Sequence, residues 1–546
     1  MGSCSEVVSL QLGNYANHIG AHWWNLQELS FVYKSDTPSE INHDVLFREG
    51  LTPNGDVTYT PRLLLVDLKG SLGHLPERGE LYEGPAAPGL GAVPWPQDRV
   101  EVRAAPRREK NAYLQDVDQR HAMQLDDPST ALKVYRLEGE VEGWTDYLRP
   151  RLHPSTVSVV SSYEHGSAER PFDMHQLGSA LWATDQFRDD FADRTRRFVE
   201  ECDNMQGFHL LLDAADGFSG LGAGLLAHLR DEYPRKDVLA FPCLPGSGVR
   251  SRDGAHALNT ALCVRDLAEH ASLFAPLCLG RAGWGRPGPP RVLPHVQYDV
   301  DLPYHTGAIL AAALDTLTLR YRLRAGPPSS LGEMCAELGR AGRRAAAASV
   351  GLPFPLRPDA CLLDALEAWE GPLWTCLSPG CSLDDDRIWV QSVALRGVAP
   401  NRLRRPETPL QSGNPAHACS TVQEMLRLFL SCCSYATLSH VTAASSACRA
   451  SAPFPHFFSD RVQVDGSVGV AARFPDTSVY SVPAVAGLHS TESMGAALEA
   501  LHGEAARLRP ARLHRFRAAG LEDDELGEAL EQLLQLRECY CMQFDV

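Results

Sequence analysis

The sequence predicts an α/β protein in which helices cover both faces of a parallel sheet. Apolar runs short enough to be buried strands alternate with longer helical patterns across the first half of the chain. Glycine-rich turns follow the runs at residues 6–12 and 207–214, as expected where a strand leads directly into a helix. The second half mixes helical and strand-like segments, which favours a second α/β domain.

The individual elements follow from hydrophobic periodicity and from turn residues. Strands are predicted at 6–12, 61–68, 207–214, in a short run from Thr156, and in RIWVQSVALRGV. Helices are predicted at 19–26, 189–205, 221–232, 255–271, 308–314 and 330–348, and within 144–154 up to its prolines. Loops are expected at about 76–110, at 283–294 and at 400–415, all rich in proline or glycine.

A last amphipathic helix begins near residue 521, and Leu526, Leu530, Leu533 and Leu534 form its apolar stripe. We expect this stripe to pack on its own domain rather than on a partner helix.

Composition excludes several functions. The formal net charge of −17 disfavours general nucleic-acid binding, and we interpret the cluster Arg402, Arg404 and Arg405 as a solvated loop. The 15 cysteines include no C-x-x-C pair and no zinc-finger spacing, which indicates free thiols in a reducing compartment and no metal. The sequence has no run of about 18 apolar residues, so we expect no transmembrane segment.

Several segments match known proteins in order along the chain. EVVSLQLGNYANHIGAHWW, YTPRLLLVDLKGS and GFHLLLDAADGFSGLGAGLLAHLRDEYP resemble the strand, turn and helix segments of tubulin. The resemblance is made more specific by three further segments, GAHWWN, NAYLQD and DGFSG. With these segments the chain is similar to the Misato family of divergent tubulin-like proteins.

This resemblance implies a tubulin-like fold, with a Rossmann-type nucleotide domain at 1–275, a second α/β domain at 276–500 and a C-terminal helical segment at 501–546. It also implies a role in mitochondrial distribution and morphology, including fusion and network formation, from the cytoplasm or as a peripheral protein of the mitochondrial outer membrane. The implied partners are proteins of that membrane or of the fusion machinery. Two alternatives stay open: a GTP-binding, polymerising GTPase, and an adaptor for tubulin folding or the spindle that binds tubulin or chaperonin.

Tubulin-type proteins cradle GTP phosphates with backbone N–H groups in glycine-rich turns. The resemblance therefore places vestigial nucleotide contacts at six positions: Gly13, Asn14, Asp67, Gly217, Ser219 and Gly220. Three substitutions oppose binding, because Tyr15 is bulky, Lys69 repels a metal ion and Asp216 repels phosphate.

Each substitution also has a structural interpretation. Tyr15 either stacks on a base or excludes it. Lys69 either contacts a phosphate directly or forms a surface salt bridge with Asp67, which we favour. Asp216 caps a turn in which Gly217 takes a positive φ.

The acid that tubulins supply for hydrolysis is expected near Thr306–Gly307, where it is missing. Asp299 and Asp301 are the candidate substitutes upstream, and His305 is interpreted as a loop or core histidine. The sequence therefore predicts a protein that is not an enzyme and has no resident cofactor, with GTP binding left open.

Overall fold

The computed structural model describes residues 5–31, 39–51, 55, 57–81, 108–123, 133–246, 254–281, 283–285, 288–325, 329–384, 387–404, 415–433, 436–475, 477–508 and 513–541. Its strands are β1 (Val7–Leu12), β2 (Phe47–Leu51), β3 (Val57–Pro61), β4 (Leu63–Lys69), β5 (Val157–Glu164), β6 (Gly207–Asp213), β7 (Asp237–Cys243), β8 (Leu273–Phe274), β9 (Ala347–Gly351), β10 (Thr375–Cys376), β11 (Ile388–Arg396), β12 (Leu438–Ala444), β13 (Cys448–Arg449), β14 (Ser481–Val482) and β15 (Ala484–Thr491). Its helices are α1 (Asn14–Leu29), α2 (Ala112–Met123), α3 (His175–Trp182), α4 (Asp185–Glu200), α5 (Gly217–Glu232), α6 (Ala255–His270), α7 (Pro303–Leu317), α8 (Leu331–Leu338), α9 (Leu362–Glu367), α10 (Val422–Cys433), α11 (Ser493–Ala506), α12 (His514–Ala518) and α13 (Asp523–Cys541).

The first sheet is six-stranded and parallel throughout, in the order β5-β4-β1-β6-β7-β8. Every residue of β1 and of β6 is buried, which explains why these strands are continuous apolar runs rather than alternating ones. From β1 the chain builds outwards through β4 and β5, and then returns to add β6, β7 and β8 on the other side. The direction reverses between β1 and β6, and this is the place where open α/β sheets bind ligands.

A second, mixed sheet has the order β10-β9-β15-β11-β12. Helix α7 lies between the two halves of the chain, with α1 on one side and β11 and β15 on the other. Each residue of α7 from Thr306 to Leu317 is buried, so this helix is apolar all round rather than amphipathic. The expected tubulin-like arrangement of two α/β units and C-terminal helices is confirmed.

Two predicted helices are much shorter than expected. The helix predicted from Trp144 up to Pro150 is only a 3-10 turn over Trp144–Tyr147. The helix predicted at 330–348 ends at Leu338, and Ala347 already belongs to β9. Its alanines favour a helix by propensity, but burial in the second sheet overrides that preference.

The C-terminal helix α13 packs within its own chain against α6 and α11, as predicted. Its most buried residues are Ala529, Leu533, Leu536 and Tyr540. Of the predicted stripe, Leu533 is buried, and Leu526 and Leu530 are half-buried and pack against the core. Most of the expected 76–110 insertion, and Arg405 of the basic cluster, lie outside the described residues. Among the helices that the structure describes, none is long and apolar enough to cross a membrane.

One buried charge cluster joins the two halves of the chain. The carboxylate of Asp315, on α7, is paired with the guanidinium groups of Arg322, at 2.9 Å, and of Arg396 on β11. All three residues are at most 2% exposed. Gln27 of α1 donates to the same carboxylate and accepts from Arg322 at 2.6 Å. The cluster therefore fixes α1, α7 and β11 against one another.

We expect Asp315→Asn to lower the free energy of unfolding by about 3–5 kcal/mol, because it leaves two buried guanidinium charges without a carboxylate. Burial acts to raise the pKa of Asp315, but Arg396 and Arg322 outweigh it and hold the pKa below its usual 3.8. The contribution is therefore present above the usual pKa and is lost as the pH falls through the lower folded value.

Urea unfolding at several pH values measures this effect. The matched control is Asp359→Asn, whose carboxylate is 67% exposed and pairs with Arg357 at 3.2 Å, and which should cost about 0–1 kcal/mol. Equal losses in the two variants would contradict the assigned role of Asp315.

Candidate nucleotide-like site

The site expected from the sequence lies where the chain reverses direction in the first sheet. The turns that follow β1 and β6 lead directly into α1 and α5, so the N-termini of both helices are close together at the carboxyl edge of the sheet. The end of β4, with Asp67, borders them on the β1 side. The structure thus brings together the three segments to which the resemblance assigned nucleotide contacts.

The N-terminus of α1 is occupied by a carboxylate of the protein itself. Asp213, the last residue of β6, accepts hydrogen bonds from the backbone N–H groups of Tyr15 at 2.9 Å and of Ala16 at 2.7 Å. Gly13 precedes them with a φ of 109°, and a Cβ at this position would overlap the Asp213 carboxylate. Gly13 therefore serves the contact with Asp213, and the N–H groups that could hold a phosphate already have an anion.

A second carboxylate caps α5. Asp216 accepts a hydrogen bond from the N–H of Phe218 at 2.9 Å, which confirms its interpretation as a turn-capping residue. Gly217 is already the first residue of the helix and is not among the glycines with positive φ, so that part of the interpretation is wrong.

The glycines of this segment are required by packing between helices. A Cβ on Gly217 would lie 2.7 Å from the ring of Phe172, which follows β5, and a Cβ on Gly220 would overlap the carbonyl oxygen of His175 in α3. Ser219 donates to the carbonyl oxygen of Asp216 at 2.6 Å and lies 3.1 Å from Nδ1 of His175. These three residues hold α5 against α3, and Phe172 covers the start of α5.

Asp67 points inwards at the end of β4 and is fully buried. Its carboxylate accepts from the backbone N–H of Leu68 at 2.8 Å, from the indole of Trp144 at 2.8 Å and from the amide of Asn17 at 3.0 Å. Asn14 reaches it at 3.4 Å. Lys69 is exposed and does not pair with Asp67, so the expected salt bridge between them is wrong. The reason is that buried neutral donors already satisfy the Asp67 carboxylate.

The three buried carboxyl groups, those of Asp67, Asp213 and Asp216, disfavour the binding of another anion in this region. Burial, opposed in part by two backbone hydrogen bonds, raises the pKa of Asp213 to about 7, and the Asp67 charge adds to the rise. Burial also raises the pKa of Asp216, with Asp213 as the next cause, and burial raises the pKa of Asp67. A phosphate about 4 Å from one ionised carboxylate would be opposed by about 4 kcal/mol at an effective dielectric constant of 20.

Tyr15 fills the space between the start of α1 and α7. Its hydroxyl faces Thr306, and burial raises the pKa of the phenol well above its usual 10. This arrangement agrees with exclusion of a ligand, since the phenol packs against the protein core.

The position predicted to hold the missing catalytic acid is also inside the chain. A Cβ on Gly307 of α7 would lie 3.1 Å from the carbonyl oxygen of His18, in α1. An acid at Thr306–Gly307 could therefore not reach a neighbouring molecule. Asp299 and Asp301 lie on the exposed stretch before α7, where the N–H of Asp299 donates to Nδ1 of His305 at 3.0 Å.

Comparison with known proteins agrees with this picture. The family model described as the Misato Segment II tubulin-like domain matches residues 5–119, and a tubulin domain model matches residues 136–323. The chain is 35% identical to protein misato homolog 1 of Bos taurus and of Homo sapiens, over 99% of this chain and 98% of each relative. It is 33% identical to protein misato of Drosophila melanogaster over 98% of both chains. The chain belongs to the misato family.

Sequence reasoning about this misato family member missed Asp213, Trp144 and Phe172. Asp213 had a signal, because a carboxylate at the end of a buried strand, just before a glycine-rich turn, lies at the ligand-binding edge of a parallel sheet. No sequence signal pointed to Trp144 or Phe172, since both reach the site from segments distant in sequence. Among the residues that the structure describes, no group of three or more His, Cys, Asp or Glu side chains is placed to hold a metal ion.

We expect Gly220→Ala to lower the free energy of unfolding by about 1–3 kcal/mol, because the added methyl group forces α5 away from α3. Chemical denaturation of purified protein measures the loss. Gly527→Ala is the matched control, since a Cβ there meets nothing within 4 Å, and it should be neutral or stabilising by up to about 1 kcal/mol. A Gly220→Ala variant with unchanged stability would show that Gly220 is not a packing residue.

Proposed function

We propose that this misato family member is a non-catalytic tubulin-like scaffold. The observation that carries the proposal is that Asp213 and Asp216 cap the N-termini of α1 and α5, where a nucleotide phosphate would otherwise bind. A helix N-terminus attracts an anion through its free N–H groups and its dipole, and a built-in carboxylate satisfies both. The fold then needs no bound nucleotide to complete this edge of the sheet.

Three further features support a closed site. Phe172 lies against Gly217, and its ring centroid is 5.1 Å from the ring centroid of Phe218, so it covers the start of α5. Tyr15 occupies the space beside α7. Burial, together with the neighbouring carboxyl groups, raises the pKa values of Asp213 and Asp216, and the same buried, acidic surroundings would disfavour a polyphosphate.

The cellular role that we propose is regulation of mitochondrial distribution and morphology, including fusion and network formation, through contacts with proteins of the mitochondrial outer membrane or of the fusion machinery. Membership of the misato family supports this role. We place the protein in the cytoplasm and at the outer membrane as a peripheral component. A large buried core that joins both sheets gives such a scaffold a fixed surface for partners.

Nucleotide binding tests the closed site directly. Titration of labelled GTP with Mg²⁺ into the full chain should give no saturable binding up to about 100 μM, which is about −5.5 kcal/mol, and no phosphate release. The double variant Asp213→Ser with Asp216→Gly should gain affinity by about 100-fold or more, because it removes two carboxyl groups that compete with phosphate and frees the N–H groups to which they are bonded.

Asp359→Ser, at a position that is 67% exposed and outside the site, is the control for a general charge effect and should leave binding unchanged. Micromolar binding with turnover by the unmodified protein would contradict the scaffold and support the GTPase alternative. Tight binding without turnover would make the nucleotide a structural ligand.

Proximity labelling in cells tests the proposed role. A fusion of the full chain to a labelling enzyme should enrich mitochondrial outer-membrane proteins over a cytoplasmic control fusion. In depleted cells, the unmodified protein and a variant shown to bind no nucleotide should restore the mitochondrial network equally. Enrichment of chaperonin and tubulin chains without mitochondrial proteins would support the adaptor alternative instead.

A further inference from the structure

A pair of cysteines lies at a junction of the fold, in the turn from Cys376 to Cys381. Both side chains are free thiols, 7% and 6% exposed, and the Cys376 thiol donates a hydrogen bond to the carbonyl oxygen of Ser378 at 3.9 Å. The N–H of Cys381 donates to the same oxygen at 3.3 Å, which closes the turn and holds both cysteines around one carbonyl group. The flanking residues Gly380 and Ser382 are exposed, so the thiols lie just beneath the surface.

The turn connects three parts of the protein. The hydroxyl of Ser378 donates to the carbonyl oxygen of Pro276, after β8, at 2.7 Å and accepts from the N–H of Ala348, in β9, at 2.9 Å. The N–H of Cys278 donates to the carbonyl oxygen of Leu377 at 2.7 Å. A chemical change at the cysteine pair would therefore act where the first sheet meets the second.

A buried cation stands beside the pair, and among the described residues it forms no ion pair with a carboxylate. Arg291 is 7% exposed and donates to the uncharged carbonyl oxygen of Ser378, while its Nε has no hydrogen-bond partner among the described residues. The sulfur of Cys376 lies 3.9 Å from the same carbonyl oxygen, so a Cys376 thiolate would place an anion close to this buried charge. The interaction with Cys381, and after it the Arg291 charge, lower the pKa of Cys376 against the opposing effects of burial and of the Asp384 charge, whereas the pKa of Cys381 is raised.

We propose that Cys376 and Cys381 are a redox-active pair in which Cys376, as the thiolate counter-ion of Arg291, reacts with hydrogen peroxide and Cys381 resolves the product as an intramolecular disulfide. This modification site is independent of the proposed scaffold role. Because the described part of the chain gives these thiols no third ligand, the pair is suited to a disulfide rather than to a metal ion.

The chemistry balances with peroxide as the oxidant. The Cys376 thiolate attacks one peroxide oxygen, the O–O bond breaks, and Cys376 becomes a sulfenic acid as hydroxide leaves and takes a proton to form water. The Cys381 sulfur then attacks the Cys376 sulfur and the S–O bond breaks, which releases a second water. Two thiols and one peroxide thus give one disulfide and two waters, and the two sulfurs close to about 2 Å.

Peptide mapping of the reduced full chain, treated with graded hydrogen peroxide and then alkylated, tests the pair. The tryptic peptide that ends at Arg387 also contains Cys361, which serves as an internal standard. It should change from three alkyl groups to one, with the loss of two hydrogens, before the exposed Cys432 and Cys433 are oxidised. Oxidation of Cys432 or Cys433 while Cys376 and Cys381 stay reduced would overturn the proposal.

Variants distinguish the role of Cys376, which reacts with peroxide, from the role of Cys381, which forms the disulfide. Cys381→Ser should stop at a Cys376 sulfenic acid that dimedone traps, and Cys376→Ser should leave Cys381 a thiol at the same peroxide concentration. Arg291→Gln should slow disulfide formation at pH 7 by about tenfold or more, because less thiolate is present, whereas Arg291→Lys should stay within a few-fold. Arg291→Lys keeps the test decisive if Arg291→Gln does not fold. An unchanged rate in a folded Arg291→Gln variant, or loss of the reaction in a folded Arg291→Lys variant, would contradict the thiolate assignment.

Discussion

The burial of α7 between the two sheets is the constraint on which the rest of the structure depends. An apolar helix buried on every side fixes the distance between the halves of the chain but not their rotation or register. Asp315 supplies this specificity, because its carboxylate accepts from Arg322 and Arg396 while Gln27 bonds both Asp315 and Arg322. Buried charges cost several kcal/mol each unless they are fully paired, so one relative arrangement of α1, α7 and β11 is strongly favoured.

At the carboxyl edge of the first sheet, side chains of the protein satisfy the helix N–H groups that a bound phosphate satisfies in a nucleotide-binding protein. In a nucleotide-binding protein, phosphate satisfies the N–H groups at the start of the helices and stabilises the folded state by mass action. Here Asp213 and Asp216 are part of the chain, so the same N–H groups are satisfied at any nucleotide concentration. The cost is electrostatic, because buried carboxylates lie close together and burial raises the pKa of Asp213 to about 7.

Glycines in this region illustrate why a motif needs its structural context. At three glycines a side chain would overlap a group of the protein itself. A Cβ would meet the Asp213 carboxylate at Gly13, the Phe172 ring at Gly217 and the His175 carbonyl oxygen at Gly220. Each overlap would preserve a glycine without any phosphate. The same letters in a sequence are therefore compatible with a ligand cradle and with tight packing of α5 against α3.

The sequence by itself determined the fold class, the strands β1 and β6, and the order of the turns at the carboxyl edge of the first sheet. These follow from apolar runs and glycines, which act over a few neighbouring residues. The sequence determined secondary structure less reliably where the helix propensity of neighbouring residues conflicts with their burial in a sheet. The alanine-rich run that forms β9 is an example.

Only the tertiary structure decided that Asp213 caps α1, that Trp144 bonds Asp67 and that Arg291 bonds the Ser378 carbonyl oxygen in the turn between Cys376 and Cys381. Those contacts join residues tens to hundreds of positions apart, and their energies depend on distance and burial, which spacing along a chain does not encode.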